Sequence, residues 1–501
     1  MKKKRICLMF VVMSLAFIQI TGAKEFDING NQLQVLGYIT QGININLADD
    51  VYDTEQGVNS LLTNFFLETT YHPHRDIQLF VSGKATVDWI YELKSDDISW
   101  NEKGFDASRD NLFFDDEYWQ LLNEAHLSWT RGKLYLRAGK QVVSWGQTDA
   151  VRILDLWNPL DQRRGFADVQ FENSIIPIWL IRTEYYSAPP SDWLDEIGVQ
   201  FTFNPNVDFI GNQGVALGND AGGVWAPNAR VPLGGQAPND FLYVGSTVDE
   251  IEEPGGTDGM EYGVKLEASF LNTLASLNGF YGRENSAVFT SAPTGPTFTT
   301  APDGRSVIHL SRKGKYPIHK FIGASVTKNI PFLSFGIPKI GKFHEPILRF
   351  ECAYSPDRTF KANNDTLVEL DELHYGFSLD YKVKMPWLNP KSTVSVTPQF
   401  FHRKIFDYPS QGLELYDHQN NYVFTLYLST SYLNAKLSPS FFYWHDITGK
   451  GDFYKFSVSY AASSKWKYKL GCVIIEGKEG KGFDFFDNKD HVFAGIEYRF
   501  D

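Results

Sequence analysis

Residues 491–500 read His491-Val492-Phe493-Ala494-Gly495-Ile496-Glu497-Tyr498-Arg499-Phe500, followed by Asp501. Side chains alternate along a strand with period two. Ala494, Ile496, Tyr498 and Phe500 therefore share one face, and Gly495, Glu497 and Arg499 share the other. One face suits an apolar surrounding and the other suits water. Any half-buried antiparallel strand shows this pattern, so the rest of the chain must say what the strand belongs to.

The same alternation is longest after residue 76. Ile77, Leu79, Val81, Ala85, Val87, Trp89, Tyr91 and Leu93 lie opposite Gln78, Ser82, Lys84, Thr86, Asp88 and Glu92. Strands of soluble sheets peak at roughly 5–6 residues. A tilted membrane strand needs roughly 9–11 residues in hydrocarbon and can run beyond it. Lys84 and Asp88 would be costly in lipid, so their face is expected to look into a wet lumen. Downstream, Trp119, Leu121, Ala125, Leu127 and Trp129 alternate with Gln120, Glu124, His126 and Ser128. Beyond the tight turn at 130–133, Leu134, Leu136, Ala138 and Val142 oppose Tyr135, Arg137 and Gln141.

Connections alternate in length. Those at 72–76 and 130–133 are short, whereas 94–117, 146–175, 205–258 and 284–316 are long. Short turns on one side and long loops on the other fit an outer-membrane barrel, with the turns in the periplasm. The expected fold is all-β, a transmembrane antiparallel β-barrel of about 18 strands, with 16 as the alternative because 177–204 and 330–345 alternate weakly. Both termini on the periplasmic side require an even number. Such a barrel keeps an aqueous interior unless loops fill it.

Composition agrees. Of the 501 residues, 15% are aromatic, yet no long apolar run follows residue 20. Lys2 to Arg5, the apolar stretch Ile6–Ile20 and Thr21-Gly22-Ala23 read as a secretory signal over 1–23, leaving 24–501 as the barrel. The net charge of −13 argues against nucleic acid as a partner. Cys352 and Cys472 lie on apolar faces at no metal-type spacing and are read as free. Asp96, Asp97, Asp106, Asp110, Asp115 and Asp116 crowd one loop without calcium-loop spacing, so that loop is read as solvated surface. No metal or cofactor is expected.

The terminal strand resembles the last strand of bacterial outer-membrane barrels. The resemblance implies closure against the first strand and recognition by the barrel-assembly machinery. Asp501 departs from it, since the pattern usually stops at the aromatic. A second resemblance rests on Gly139-Lys140-Gln141-Val142-Val143-Ser144-Trp145-Gly146, then Asn158-Pro159-Leu160-Asp161, then the apolar run from Pro177 to Leu180. It is similar to a proteobacterial outer-membrane barrel family of undefined function with G-R-Q-x-V-x-W-G and N-P-x-D elements; Lys140 stands where Arg is usual. That resemblance implies genes beside RND-type exporters, a periplasmic lipoprotein-like partner, and traffic of lipidic or other hydrophobic molecules.

Gly139 and Gly146 allow a bend or a close approach, and Trp145 would mark the lipid interface or anchor an in-folded loop. Asn158-Pro159 starts a turn across which Asp161, Arg163 and Arg164 can pair. A loop at 146–175 folded into the mouth is expected, the other reading being a loop on the rim. The expected lumen and constriction residues are Lys84, Asp88, Glu92, Glu124, His126, Arg137, Gln141, Asp161, Arg163 and Arg164. Arg349 and Glu351 are read as straddling two faces. Each charge can instead pair across strands and stiffen the wall. No hydrolase, metalloprotease or phosphate-loop motif is present, so no enzyme is expected. The favoured function is that of an outer-membrane channel or porin-like transporter for passive passage of small molecules, hydrophobic ones included, through a loop-constricted polar lumen, in contact outside with lipid and lipopolysaccharide. The other is a non-conducting partner of an RND-type exporter or lipid-transfer system, docked through the apolar stretch 330–345.

Overall fold

The computed structural model of the protein describes residues 24–28, 30–47, 56–93, 121–161, 174–189, 191–213, 230–232, 241–292, 295–300, 306–414, 417–478, 483, 486–487 and 489–500. The signal segment, the acidic loop, Arg163 and Arg164 lie outside them. The wall begins with β1 (Asn31–Asn46), β2 (Leu62–His74), β3 (Ile77–Asp88), β4 (Leu122–Arg131), β5 (Leu134–Gln141) and β6 (Ile178–Ser187). It continues with β7 (Leu194–Asn204), β8 (Glu261–Phe270), β9 (Thr273–Arg283), β10 (Ile318–Asn329), β11 (Ile347–Lys361) and β12 (Leu367–Lys384). The last strands are β13 (Val394–Ile405), β14 (Asn420–Ser429), β15 (Leu437–Asp446), β16 (Gly451–Ala461), β17 (Trp466–Glu476) and β18 (His491–Phe500).

These 18 strands form a closed antiparallel barrel. Each pairs with its neighbour in sequence, and β18 pairs back onto β1 from Gly37↔Phe500 to Asn46↔His491. Closure removes the exposed sheet edges that an open sheet would have to protect. At the seam the Phe500 ring lies where a side chain on Gly37 would sit. Phe500 is buried there and stacks with Phe65 at 6.1 Å.

The barrel ends differ. The end carrying the chain termini has tight turns such as Leu271-Asn272, whose φ values are 46° and 57°. Positive φ at both central residues gives the turn twist that antiparallel strands favour. The opposite end carries the connections 89–121, 142–177, 205–260 and 284–317. Parts of the last two form a separate five-stranded sheet in which Phe241–Glu252 runs parallel to Ser306–Lys315. The outward faces expose Leu79, Val81, Leu127, Ile181, Val199, Phe201, Leu266, Leu277, Ile322, Leu470 and Ile496. So much contiguous apolar surface marks a face meant for something other than water. Cys352 and Cys472 stand on these outer faces, unbonded.

Two sequence expectations change. The strand after residue 76 stops at Asp88, and Ile90–Leu93 forms a helical turn, so Glu92 is not on the lumenal wall. The Asp88 carboxylate stops the strand by accepting the N–H groups of Leu61 at 2.8 Å and Ile90 at 3.3 Å, and the Ser60 hydroxyl at 2.9 Å. Asp88 is therefore spent on structure. The weak segment at 177–204 forms β6 and β7. The weak segment at 330–345 is no wall strand. It is a 3-10 turn and a small hairpin, Phe335–Ile337 with Gly341–Phe343, at the end with the termini.

Candidate functional site

The connection from β5 to β6 enters the lumen. Residues 143–157 carry Val143, Trp145, Ile153, Leu154 and Trp157, all buried, onto an apolar patch of the inner wall. The patch is built by Leu180 of β6, Phe280 of β9, Phe321 of β10, Ala353 of β11 and Phe401 of β13. Trp145 and Trp157 are each 1% exposed and meet edge to face at 5.4 Å. Trp157 meets Phe280 in the same way at 5.0 Å. Edge-to-face pairs place a positive ring edge on a negative ring face. Trp145 is thus an internal anchor rather than a lipid-interface residue.

Glycines make the seat. A side chain on Gly263 of β8 would collide with both Trp rings, one on Gly323 of β10 with Leu154, and one on Gly376 of β12 with Phe401 and Ile153. Glycine inside a strand often marks the close approach of another segment.

Polar groups fix both ends of the loop. Asn158 is fully buried. Its Oδ1 accepts from the Val143 N–H at 2.8 Å, and its Nδ2 donates to the carbonyls of Gln141 at 3.1 Å and Ile176 at 3.0 Å. It therefore clamps the exit of β5 to the entry of β6. Asp155 Oδ1 accepts the N–H groups of Trp145 at 2.5 Å and Gly146 at 2.7 Å, a turn that leaves no room for a side chain on Gly146. Trp145 Nε1 donates to Gln200 Oε1 at 2.5 Å. Asn285 Nδ2 donates to the Leu156 carbonyl at 2.6 Å.

On the same wall, β11 holds the loop by charge. Glu351 Oε1 accepts from the N–H groups of Gln147 and Thr148. Arg349 donates to the Gln147 carbonyl at 2.5 Å, to Asp149 Oδ2 at 2.6 Å and to Asp380 Oδ1 at 2.9 Å. Both residues face inward. The expectation that they straddle two faces fails because a spacing of two keeps one face.

The other expected lumenal residues gather at the root of this loop. Glu124 Oε2 accepts the Val142 N–H at 3.3 Å. His126 stacks on Phe80 at 5.0 Å. Arg137 Nε donates to Ser128 Oγ at 3.0 Å. Gln141 is buried and donates to the Leu180 carbonyl at 3.0 Å. Lys140 is buried too, with Nζ on the Leu122 carbonyl at 2.5 Å. Two consecutive buried side chains break the strand alternation, and Gly139, at φ 134° and pressed against the Ala125 carbonyl, is where it breaks. Lys84 sits on the inner face of β3. Asp161 bridges to Gln213 and donates its N–H to the Ser174 carbonyl at 2.6 Å. Sequence reasoning missed Asn158 as a clamp and the glycine seats. Inward-parity glycines in three strand interiors were the available signal for the seats.

Above β9 to β14, Arg358 binds Glu284 at 2.7 Å and Glu372 at 2.6 Å, and Arg403 binds Asp417 at 2.7 Å. Burial alone would raise the Glu284 carboxyl; Arg358 and then His319 outweigh it and hold it below the ordinary carboxylate range. Among the described residues, no group of His, Cys, Asp and Glu is arranged to hold a metal ion.

A family model described as "Protein of unknown function (DUF1302)" matches residues 30–500. None of the curated proteins matches the chain. Among solved structures, OccAB1 of Acinetobacter baumannii aligns over 96% of this chain and 98% of its own, with 9% identity and a TM-score of 0.43. OpdK of Pseudomonas aeruginosa aligns over 93% and 98%, with 9% identity and a TM-score of 0.43. Salmonella typhi OmpF in complex with daunomycin aligns over 95% and 100%, with 9% identity and a TM-score of 0.37. At these scores the function has to be argued from the geometry of this chain.

Proposed function

We propose that this chain, which belongs to the DUF1302 family, is an outer-membrane channel for passive passage of small molecules past a loop seated in its lumen. The apolar exterior supports the membrane location, since a closed barrel satisfies its backbone without water. The observation that carries the channel reading is the one-sided seat. The loop packs on the wall of β6 and β8 to β13; β16, β17, β1, β2 and β3 turn Ser459, Lys469, Thr40, Asn64 and Lys84 inward, and Phe453, Val473, Ile475 and Phe493 of β16 to β18 form a second, smaller apolar cluster with Phe483 and Phe486. A loop held to one wall narrows a pore and leaves its polar wall to the permeant. The permeants fit small solutes, and the apolar loop face and polar wall together suit molecules with one hydrophobic side.

The test is single-channel recording in planar bilayers of the refolded chain, and of a variant in which 146–175 is replaced by a short Gly-Ser turn. A steady conductance that rises in the variant supports a loop-constricted pore. A barrel closed in both forms overturns it.

A second reading has its own observation. The hairpin at 335–343 and the adjoining turns expose Phe332 at 83%, with Phe335, Ile337, Ile340, Trp387 and Leu388 beside it. Trp387 Nε1 donates to the Ile340 carbonyl at 2.6 Å, which ties the two turns into one apolar lip. On a non-conducting barrel this lip would dock a periplasmic component of an exporter or lipid-transfer system. Replacing Phe332 and Phe335 by Ser should then abolish co-purification of that component and leave the barrel folded. Unchanged co-purification counts against docking there.

A further inference from the structure

We propose that the apolar lip on the rim below β10 to β12 is a seat for anionic phospholipid of the periplasmic leaflet. Its outward face takes acyl chains and its lysines take the phosphate. The inference rests on the outer-membrane placement of the barrel and not on conduction.

The lip hangs below the neighbouring wall. Lys328 of β10 pairs with Thr273, the first residue of β9, so the wall on that side ends there. β9 has 11 residues, and a tilted strand needs roughly 9–11 to cross hydrocarbon. β12 runs on past the Ile347↔Asp380 pair to Lys384, about 13 Å further along the strand. There it pairs with the returning strand of the lip, Gly341–Phe343, as Phe343↔Val383 and Lys342↔Lys384. The lip therefore lies at headgroup depth, where aromatic side chains settle.

Alternation fixes the direction it faces. Gly376, Ser378 and Asp380 of β12 point into the lumen, so Phe377, Tyr381 and Val383 point outward. Phe343 stands opposite Val383, and Phe335 opposite Phe343. The two Phe rings stack at 4.5 Å, and both meet Tyr381 edge to face, at 5.9 Å and 5.5 Å. The surface left outside is Phe335 and Ile337, with Phe332 and Trp387 beside them. It continues the exposed exterior of Phe377 and Ile322 and turns away from the mouth of the pore. That continuity makes lipid its neighbour.

The charge agrees. Residues 328–345 and 381–392 carry Lys328, Lys339, Lys342, Lys382, Lys384 and Lys391 against one acid, Glu345, in a chain whose net charge is −13. Lys382 donates to Ser395 Oγ at 2.7 Å and Lys384 to the Pro390 carbonyl at 2.9 Å, both neutral acceptors. Lys342 and Lys384 are register partners, a like-charge pair that costs stability unless negative charge lies near. Lys328 is exposed on the outward face, and Lys339 is exposed at the tip of the lip. These two reach headgroups directly. Lys342, Lys382 and Lys384 are on the other face, one or two strand spacings away, about 5–10 Å. That is within the Debye length of about 10 Å, so they add to the same field. Each lysine close to an anionic surface strengthens binding by about fivefold.

The experiment is mass spectrometry of the intact, refolded full chain in detergent micelles. It is titrated with dioleoylphosphatidylglycerol and, separately, with dioleoylphosphatidylcholine, which has the same acyl chains and a zwitterionic headgroup. The first phosphatidylglycerol should bind about 25-fold more tightly than the first phosphatidylcholine, from the two direct lysines. Lys328→Gln and Lys339→Gln should each weaken phosphatidylglycerol by about fivefold and leave phosphatidylcholine unchanged. Phe335→Ser should weaken both lipids alike. Lys133→Gln, in the tight turn between β4 and β5 on the same rim, should change neither. Equal affinity for the two lipids, or an undiminished preference in the Lys328→Gln, Lys339→Gln double variant, overturns the proposal. If the double variant fails to fold, Lys339→Gln alone decides. A lip without lipid preference that still co-purifies a periplasmic component overturns it in favour of docking. A barrel that prefers phosphatidylglycerol but never conducts keeps this site and loses the channel reading; one that conducts without the preference does the reverse.

Discussion

Replacing Trp157 by Ala should release the lumenal loop for part of the time. The loop buries Trp145, Ile153, Leu154 and Trp157 almost completely. At about 1.5–3 kcal/mol for each buried apolar side chain, the seat is worth at most about 6–12 kcal/mol, and ordering the loop subtracts from that. Truncating a buried Trp to Ala costs about 3–5 kcal/mol, because the cavity it leaves refills only in part. The seated-to-released ratio should fall by roughly two hundred to five thousand. In single-channel records Trp157→Ala should show brief transitions to a larger level. The double variant Trp145→Ala, Trp157→Ala should stay near the level of the loop replacement. Trp157→Phe is the control: it keeps an aromatic edge for Phe280 and deletes an Nε1 that has no hydrogen-bond partner among the described residues. It should behave like wild type. The reasoning fails if Trp157→Ala folds normally, by heat-modifiable gel migration, yet shows wild-type levels and dwell times.

Other outcomes follow from the same geometry. Gly263→Val adds atoms where both Trp rings lie, so it should reproduce the Trp157→Ala transitions although the loop sequence is untouched. Wild-type dwell times in Gly263→Val would refute the seat. Phe500→Ala uncovers Gly37 at the seam and should lower the temperature at which the barrel unfolds on semi-native gels, by an amount consistent with about 3–5 kcal/mol; an unchanged temperature would show that the seam does not depend on this ring. Glu284 titrates below its unfolded value, so its contribution to the outer rim is complete above the ordinary Glu pKa of about 4.3. It is lost as pH falls through the depressed folded value. Protease cleavage of the outer loops should therefore rise below that pH in wild type, and Glu284→Gln should already be sensitive at neutral pH.

Alternation with period two is a local property, and it was legible wherever a strand was long. It put Lys84, Glu124, His126 and Arg137 on the inner face, whereas the closing role of the last strand came from its resemblance to the terminal strands of outer-membrane barrels. It failed where a side chain or a glycine overrides the backbone. Asp88 caps its own strand, which removed Glu92 from the wall. Gly139 turns its strand so that Lys140 and Gln141 are both buried. The in-folding of the loop could be anticipated from Trp145 and the flanking glycines. Its seat could not, because Gln147 and Glu351 are 204 residues apart, and no local pattern carries that register. The loop lies on an apolar patch made by one or two residues from each of five strands, each unremarkable in its own alternation.

The distance in sequence between loop and seat has a bearing on biogenesis. The loop is made early, whereas Phe280, Phe321, Ala353 and Phe401 arrive only with β9, β10, β11 and β13. Contacts of such long range must wait for the chain that supplies them. Until then two tryptophans and two aliphatic side chains have no home, and such exposed surface invites aggregation or chaperone capture. Docking of the loop thus reports that the nascent wall has been delivered as far as β13. A chain truncated before that point would still present the tryptophans, and periplasmic proteases would have a physical basis for telling an unfinished barrel from a finished one.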